Sequence, residues 1–155
     1  MAGRCSCPDI RDEEWDVKEH NWSGKKFYAV GLPMIYHVPV NIGSKYRQLK
    51  SEIERKGYQL TGPFHFLQKD GVFRGMVIAE IKNPGKPDPK VTTFGTTKVW
   101  SKVYYGSWRY LRDAVKELKE QTGKQFKSVY FWYVTCPECA EEKGYKTVIF
   151  AEAKG

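Results

Sequence analysis

The residues whose spacing most directly suggests chemistry are four cysteines, Cys5-x-Cys7 and Cys136-x-x-Cys139. Cys136-Pro137-Glu138-Cys139 has the spacing of a metal knuckle, where two thiolates converge on one ion. Joined by Cys5 and Cys7, the set would hold a structural zinc tetrahedrally and tie the start of the chain to its body. Zinc, free thiols and a disulfide all stay open for these residues. A reactive Cys-x-x-Cys sits near a helix N-terminus, whereas this one follows a strand pattern and enters a turn. The histidines His20, His37 and His65 are scattered. His65, between Phe64 and Phe66, reads as a packed or rim residue, and His37, after Tyr36, is a candidate to face a cavity. No Gly-x-Ser-x-Gly, P-loop or His-Glu-x-x-His motif is present.

The second chemical signal is aromatic. Phe, Trp and Tyr make up 15% of the 155 residues, from five Trp, ten Tyr and eight Phe. Such rings suit a surface that is apolar yet offers a hydrogen bond, as in a ligand pocket or an interface. The net charge is +8, from 26 Lys and Arg against 18 Asp and Glu. Basic residues are spread along the chain and interleaved with acids, which argues against a nucleic-acid partner. No run of apolar residues is long enough to span a membrane. The start, MAGRCSCPDIRDEEW, lacks the apolar core of a secretory signal. The expectation is a cytoplasmic protein with no membrane partner, its oligomeric state left open.

The elements that must position these residues come in two matching halves. Lys82–Lys90, KNPGKPDPK, carries three of the eight prolines and reads as a connector. On one side the chain closes with Ala79-Glu80-Ile81-Lys82, and at its end with Ala151-Glu152-Ala153-Lys154. Ile42-Gly43-Ser44 opens a stripe of Tyr46, Leu49 and Ile53. Tyr105-Gly106-Ser107 opens a stripe of Trp108, Leu111, Val115 and Leu118. Spacings of three and four predict amphipathic helices. Ser44 and Ser107 are the expected N-caps, and Gly57 and Gly123 the expected stops. The second helix reads as about one turn longer.

Around the helices lie strand patterns. Lys26–Val40 is apolar, with a break expected at Gly31 and Pro33. Phe64–Leu67 and Val72–Lys82 flank the hairpin signal Asp70-Gly71. Thr92–Tyr105, Ser128–Thr135 and Tyr145–Lys154 complete the second half. Each half is thus β-α-β-β. The predicted class is α+β, with tandem repeats forming one antiparallel sheet and both helices on one face. The predicted organisation is an N-terminal arm, 1–25, and one domain, 26–155, with half-repeats 26–83 and 92–154. The arm carries a helical turn near Glu13–Glu19 and is pinned by Trp15 and Trp22. Tyr130 and Trp132 point to one face of their strand, Phe131 and Tyr133 to the other. One face belongs to a helix, so the other must be closed by the arm, a partner or a ligand.

This ordered set resembles the gyrase-inhibitor-like (GyrI-like) small-molecule-binding domains. The pieces are Tyr105-Gly106-Ser107-Trp108-Arg109-Tyr110-Leu111, Tyr133-Val134-Thr135-Cys136-Pro137 and Lys146-Thr147-Val148-Ile149. The first half adds Pro39–Tyr46 and Lys56-Gly57-Tyr58, so the resemblance covers about residues 26–154. It implies an effector-binding module, a gyrase inhibitor, or a hydrolase that opens strained rings, here as a stand-alone member. The family often places a glutamate two residues before the strand tyrosine, where this chain has Phe131. Glu80 and Glu152 are the candidates to replace it, although an outward strand charge beside lysine is the simpler reading of Glu152.

The expected function is binding of a planar hydrophobic or aromatic molecule in an aromatic-lined cleft, with hydrolysis of a strained or electrophilic ring. The alternative is a non-enzymatic inhibitor or regulator of a macromolecule such as DNA gyrase. Tyr46 and Trp108, at the two helix starts, would flank the cleft. Trp100, Tyr104, Phe131 and Tyr133 would line it, with His37 at its edge and Glu80 as the catalytic acid. Apart from the possible zinc, no cofactor is expected.

Overall fold

Alternation of apolar and polar residues builds the strands, and in each half one helix covers one sheet face. In the computed structural model, residues 11–61, 67–82, 85–94, 98–134 and 145–154 are described. The fold is α+β, with nine strands among these residues, antiparallel throughout. It divides into two units, one of Met1–Asn21 with Lys98–Gly155 and one of Trp22–Thr97. No helix among the described residues is long and apolar enough to cross a membrane.

The Trp22–Thr97 unit contains β2 (Lys26–Ile35), β3 (Val38–Pro39), α2 (Ile42–Lys56), β4 (Leu67–Lys69), β5 (Arg74–Ile81) and β6 (Val91–Thr93). β5 lies between β4 and β2, and β2 carries β6 and β3 on its other edge. Tyr28, Val30, Leu32 and Met34 alternate along β2 with Val77, Ala79 and Ile81 of β5 to form one apolar face. Leu49 and Ile53 of α2 close it. Each such side chain removed from water contributes roughly 1.5–3 kcal/mol.

The break expected at Gly31 and Pro33 does not occur, since β2 runs through both. Pro33 sits between the stretches where β6 and β3 pair, and there its carbonyl accepts from Val40 N–H at 2.9 Å. No donor is required of the proline on that edge. Ser44 is not the N-cap of α2. Asn41, at φ 56°, precedes the helix, and Ser44 lies inside its first turn. Asparagine tolerates the left-handed backbone, so the chain turns into the helix before Ser44 is reached.

The other unit contains α1 (Asp12–Trp15), β1 (Lys18–Asn21), β7 (Lys98–Tyr105), α3 (Leu111–Thr122), β8 (Phe126–Tyr133) and β9 (Lys146–Ala153). A tight helical turn, Trp108–Tyr110, precedes α3, and Ser107 caps it by accepting from Arg109 N–H at 3.2 Å. With that turn the second helical segment equals α2 in length and is not longer, 3 and 12 residues against 15. Gly57 and Gly123 end the two helices at φ 73° and 66°, as expected. β9 lies between β8 and β7, just as β5 lies between β4 and β2. The β-α-β-β reading of each half holds within its unit.

Phe131 and Ile149 face α3 through Leu111, Ala114 and Val115. The opposite face is closed by the chain's own first segment. Trp15 stands edge-on to Trp132 and Phe150, with ring centres 5.6 and 5.8 Å apart. β1 pairs with β7, and Asp16 accepts from Val103 N–H at 3.1 Å. Trp22 serves the other unit, packing on Phe27 and Phe94.

Candidate functional site

The register of β9 produces a row across the sheet. Thr147 is directly opposite Tyr104 of β7 and Tyr133 of β8. All three share the face that carries Ile149, so they point to the side of α3. Thr147 is fully buried, and its Oγ1 has no hydrogen-bond partner among the described residues. A buried hydroxyl left in that state costs about 1–3 kcal/mol. Beside the row stands Trp108, 5.0 Å from the Tyr133 ring and 5.3 Å from Tyr145. Trp108 is 44% exposed and Tyr145 40%. The group is thus buried at Thr147 and open at Trp108.

The Tyr105-Gly106-Ser107 turn makes this arrangement. Gly106 has φ +136°, and a Cβ there would come within 3.0 Å of the Tyr104 hydroxyl, so a side chain would be strained and would crowd that hydroxyl. Gly106 N–H donates to the Tyr145 carbonyl at 3.0 Å, and Tyr104 donates to the Ser107 carbonyl at 2.8 Å. Burial raises the Tyr104 phenol pKa, and the Asp113 charge adds to the shift. That ring remains a hydrogen-bond donor.

Of the residues expected to line a cleft, Tyr104, Trp108, Phe131 and Tyr133 come together in one unit, with Phe131 and Tyr133 6.3 Å apart. Trp100 shares their face but stands opposite Ala151, two rows along, beyond Lys102. Its Nε1 is buried without a partner among the described residues. Tyr145 and Thr147 were missed by sequence reasoning. The signal for Thr147 is its in-register place between two tyrosines, which depends on strand pairing.

Tyr46 and His37 belong to the Trp22–Thr97 unit. Tyr46 packs on that unit's core, where burial drives its phenol pKa far up. His37 Nδ1 pairs with Asp70 at 2.9 Å. Glu80, in the same unit, is opposite Phe27 and on the sheet face away from α2. Lys25 donates to its Oε2 at 3.0 Å, while its Oε1 is buried with no partner among the described residues. Glu152 holds the matching place on β9, ion-paired to Lys127 at 3.4 Å.

A second polar cluster fixes the connector. Glu52 of α2 accepts from Tyr28 at 2.6 Å, Lys90 at 2.7 Å and Gln48 at 2.8 Å. These donors, Lys90 first, hold its carboxyl at about 2. Asp88 accepts from Tyr58 at 2.7 Å and Lys56 at 2.9 Å. Its carboxyl is likewise held at about 2, Tyr58 being the main cause. Asp88 also borders a hollow of about 390 Å³ with Lys26, Lys86 and Thr93. Both acids have their acceptor sites occupied, which suits them to structure more than to chemistry.

Cys5, Cys7, Cys136, Cys139 and His65 lie outside the described residues. Among the described residues no group of three or more His, Cys, Asp or Glu is placed to hold a metal.

The sequence model described as "Bacterial hydrolase" matches residues 2–153. The chain belongs to that bacterial hydrolase family. No curated protein matches it. Among solved structures, this hydrolase-family chain is similar in fold to the EcmrR C-terminal domain, with TM-score 0.60 and 13% identity over 90% of this chain and 98% of that one. It is also similar to SAV2435 bound to tetraphenylphosphonium, with TM-score 0.51 and 10% identity over 90% and 94%. At these identities the likeness is one of fold.

Proposed function

We propose that this chain binds a planar hydrophobic or aromatic small molecule against Trp108, Tyr133, Tyr145 and Tyr104, and hydrolyses a strained or electrophilic ring in it. The observation that carries the reading is a half-exposed tryptophan set between two tyrosines, beside a buried threonine hydroxyl with no partner among the described residues. Rings supply stacking area, and a ligand hydrogen bond would satisfy Thr147. Membership of the hydrolase family supports the chemical step. A protein of like fold bound to tetraphenylphosphonium supports a hydrophobic, aromatic ligand, though not its planarity, in keeping with a GyrI-like module.

Hydrolysis adds water across the opened bond. The water oxygen bonds to the electrophilic carbon, one water proton goes to a base, and the released atom takes a proton. Glu80, the expected catalytic acid, lies in the other unit, with one oxygen tied to Lys25 and the other buried without a partner among the described residues, so no step at the Trp108 group is assigned to it.

The test is titration of the folded protein with planar aromatic compounds, followed by tryptophan emission and thermal shift. Quenching with a raised Tm is expected. Trp108→Ala should abolish both at a stability cost of about 1–2 kcal/mol, less than a core tryptophan because the ring is half-exposed. A folded protein that shows neither quenching nor shift overturns the reading and favours a macromolecular partner.

A further inference from the structure

In the Trp22–Thr97 unit, two turns lie side by side at one end of the sheet. β2 reverses into β3 through Tyr36 and His37 alone, since Ile35 pairs with Val38. Both residues are left-handed, at φ 46° and 70°. That is the backbone of a tight hairpin turn which Asn-Gly adopts without strain and which a tyrosine and a histidine adopt only with it. His37 has a contact that accounts for it. Its ring pairs with Asp70 at 2.9 Å, and its N–H donates to the Val72 carbonyl at 3.4 Å. Met34 N–H donates to the Phe73 carbonyl at 3.0 Å. These bonds clamp the β2–β3 turn to the β4–β5 turn.

Tyr36 has no comparable inward contact among the described residues. It is 71% exposed, and its ring lies 5.4 Å from that of Phe73, which is 62% exposed. Ile35 and Val38 are exposed beside it, at 59% and 61%, and Val72 at 42%. Large apolar side chains gathered on a fixed framework are a patch, not scattered exposure. The charges beside it are net positive. Residues 31–40 and 67–77 contain Lys69, Arg74 and a single acid, Asp70, which His37 already pairs.

We propose that this double turn docks onto an anionic lipid surface. Tyr36, Phe73, Ile35, Val38 and Val72 enter the boundary between headgroups and acyl chains, and Arg74 and Lys69 meet the lipid phosphates. No spanning helix is needed for such attachment. The net charge of +8 draws the whole chain to the same surface. A second copy fits the patch less well, because a twofold contact would bring Arg74 and Lys69 of both chains together. The proposal is independent of the small-molecule site.

The test is co-sedimentation of the full chain with vesicles of phosphatidylcholine alone and of equal parts phosphatidylcholine and phosphatidylglycerol. Binding to the mixed vesicles is expected, with little to the neutral ones, and it should fall with added salt. Tyr36→Ser with Phe73→Ser should weaken it at least ~10-fold. Arg74→Glu should weaken it by a similar factor. Circular dichroism and quenching by a planar ligand should be unchanged in both variants. Absence of binding by folded wild-type protein overturns the proposal, as does equal binding to both vesicle types or undiminished binding by both variants. A dimer in sedimentation equilibrium that Tyr36→Ser with Phe73→Ser makes monomeric also overturns it and assigns the patch to self-association.

Discussion

Thr147 shows how one side chain can separate stability from function. Its hydroxyl is buried between Tyr104 and Tyr133 with no partner among the described residues. Thr147→Val removes the unsatisfied group at nearly constant shape. The free protein should gain about 1 kcal/mol, read as a higher Tm. Affinity for a ligand that hydrogen-bonds there should fall roughly 5- to 10-fold. A lower Tm would mean that the hydroxyl has a partner in the folded state, and unchanged affinity would mean that the ligand does not reach it. Tyr104 and Tyr133 were expected at a cleft, and the structure puts both on the helix face beside Thr147. Thr147 was not expected there, because strand parity does not say which short polar side chain loses its water.

At the scale of elements, the connector between the halves is built into its unit and does not hang free. Lys90 reaches Glu52 and Asp88 reaches Lys56 and Tyr58, so the stretch 86–90 is bound to α2 and the residues after it. Proline content announced a connector but not its anchoring, because ion pairs between distant residues leave no periodic trace. The anchoring has a pH consequence. Hydrogen bonds lower the Glu52 carboxyl from 4.5 to about 2 in the folded chain. A depressed acid stabilises the fold above its unfolded pKa, and that contribution disappears as pH falls through the folded value. Stability should therefore drop between pH 4.5 and about 2. Glu52→Gln should be less stable at neutral pH and lose less over that interval, which urea unfolding at each pH measures. Parallel curves for the two proteins would show that other acids govern the drop.

At the scale of the whole molecule, the chain's first segment folds with its last strands. Trp15 covers Trp132 and Phe150, the Ser101 hydroxyl donates to the Trp15 carbonyl at 2.5 Å, and Tyr105 and Lys146 both reach Asp12 at 2.6 Å. Trp15→Ala should cost about 2–3 kcal/mol and increase the binding of a hydrophobic dye, as Trp132 and Phe150 become exposed. Unchanged stability and dye binding would show that the sheet face is closed by something else.

Much of this was readable from the sequence alone. Alternation and helical spacing depend on nearest neighbours along the chain, so the β-α-β-β order of each half, the stripe Tyr46-Leu49-Ile53, the stops at Gly57 and Gly123 and the opposite pointing of Phe131 and Trp132 were all determined locally. That one face of this strand needed a cover other than the helix was determined too, though not that it would be the Trp132 face or that Trp15 would supply the cover. Tertiary structure decided what depends on distance through space: the row Tyr104–Thr147–Tyr133, the partners of Glu80 and Glu52, and the clamp that sets Tyr36 beside Phe73. Strand register and long-range ion pairs join residues tens of positions apart, and no local pattern specifies which of the compatible pairings will bury the most apolar surface.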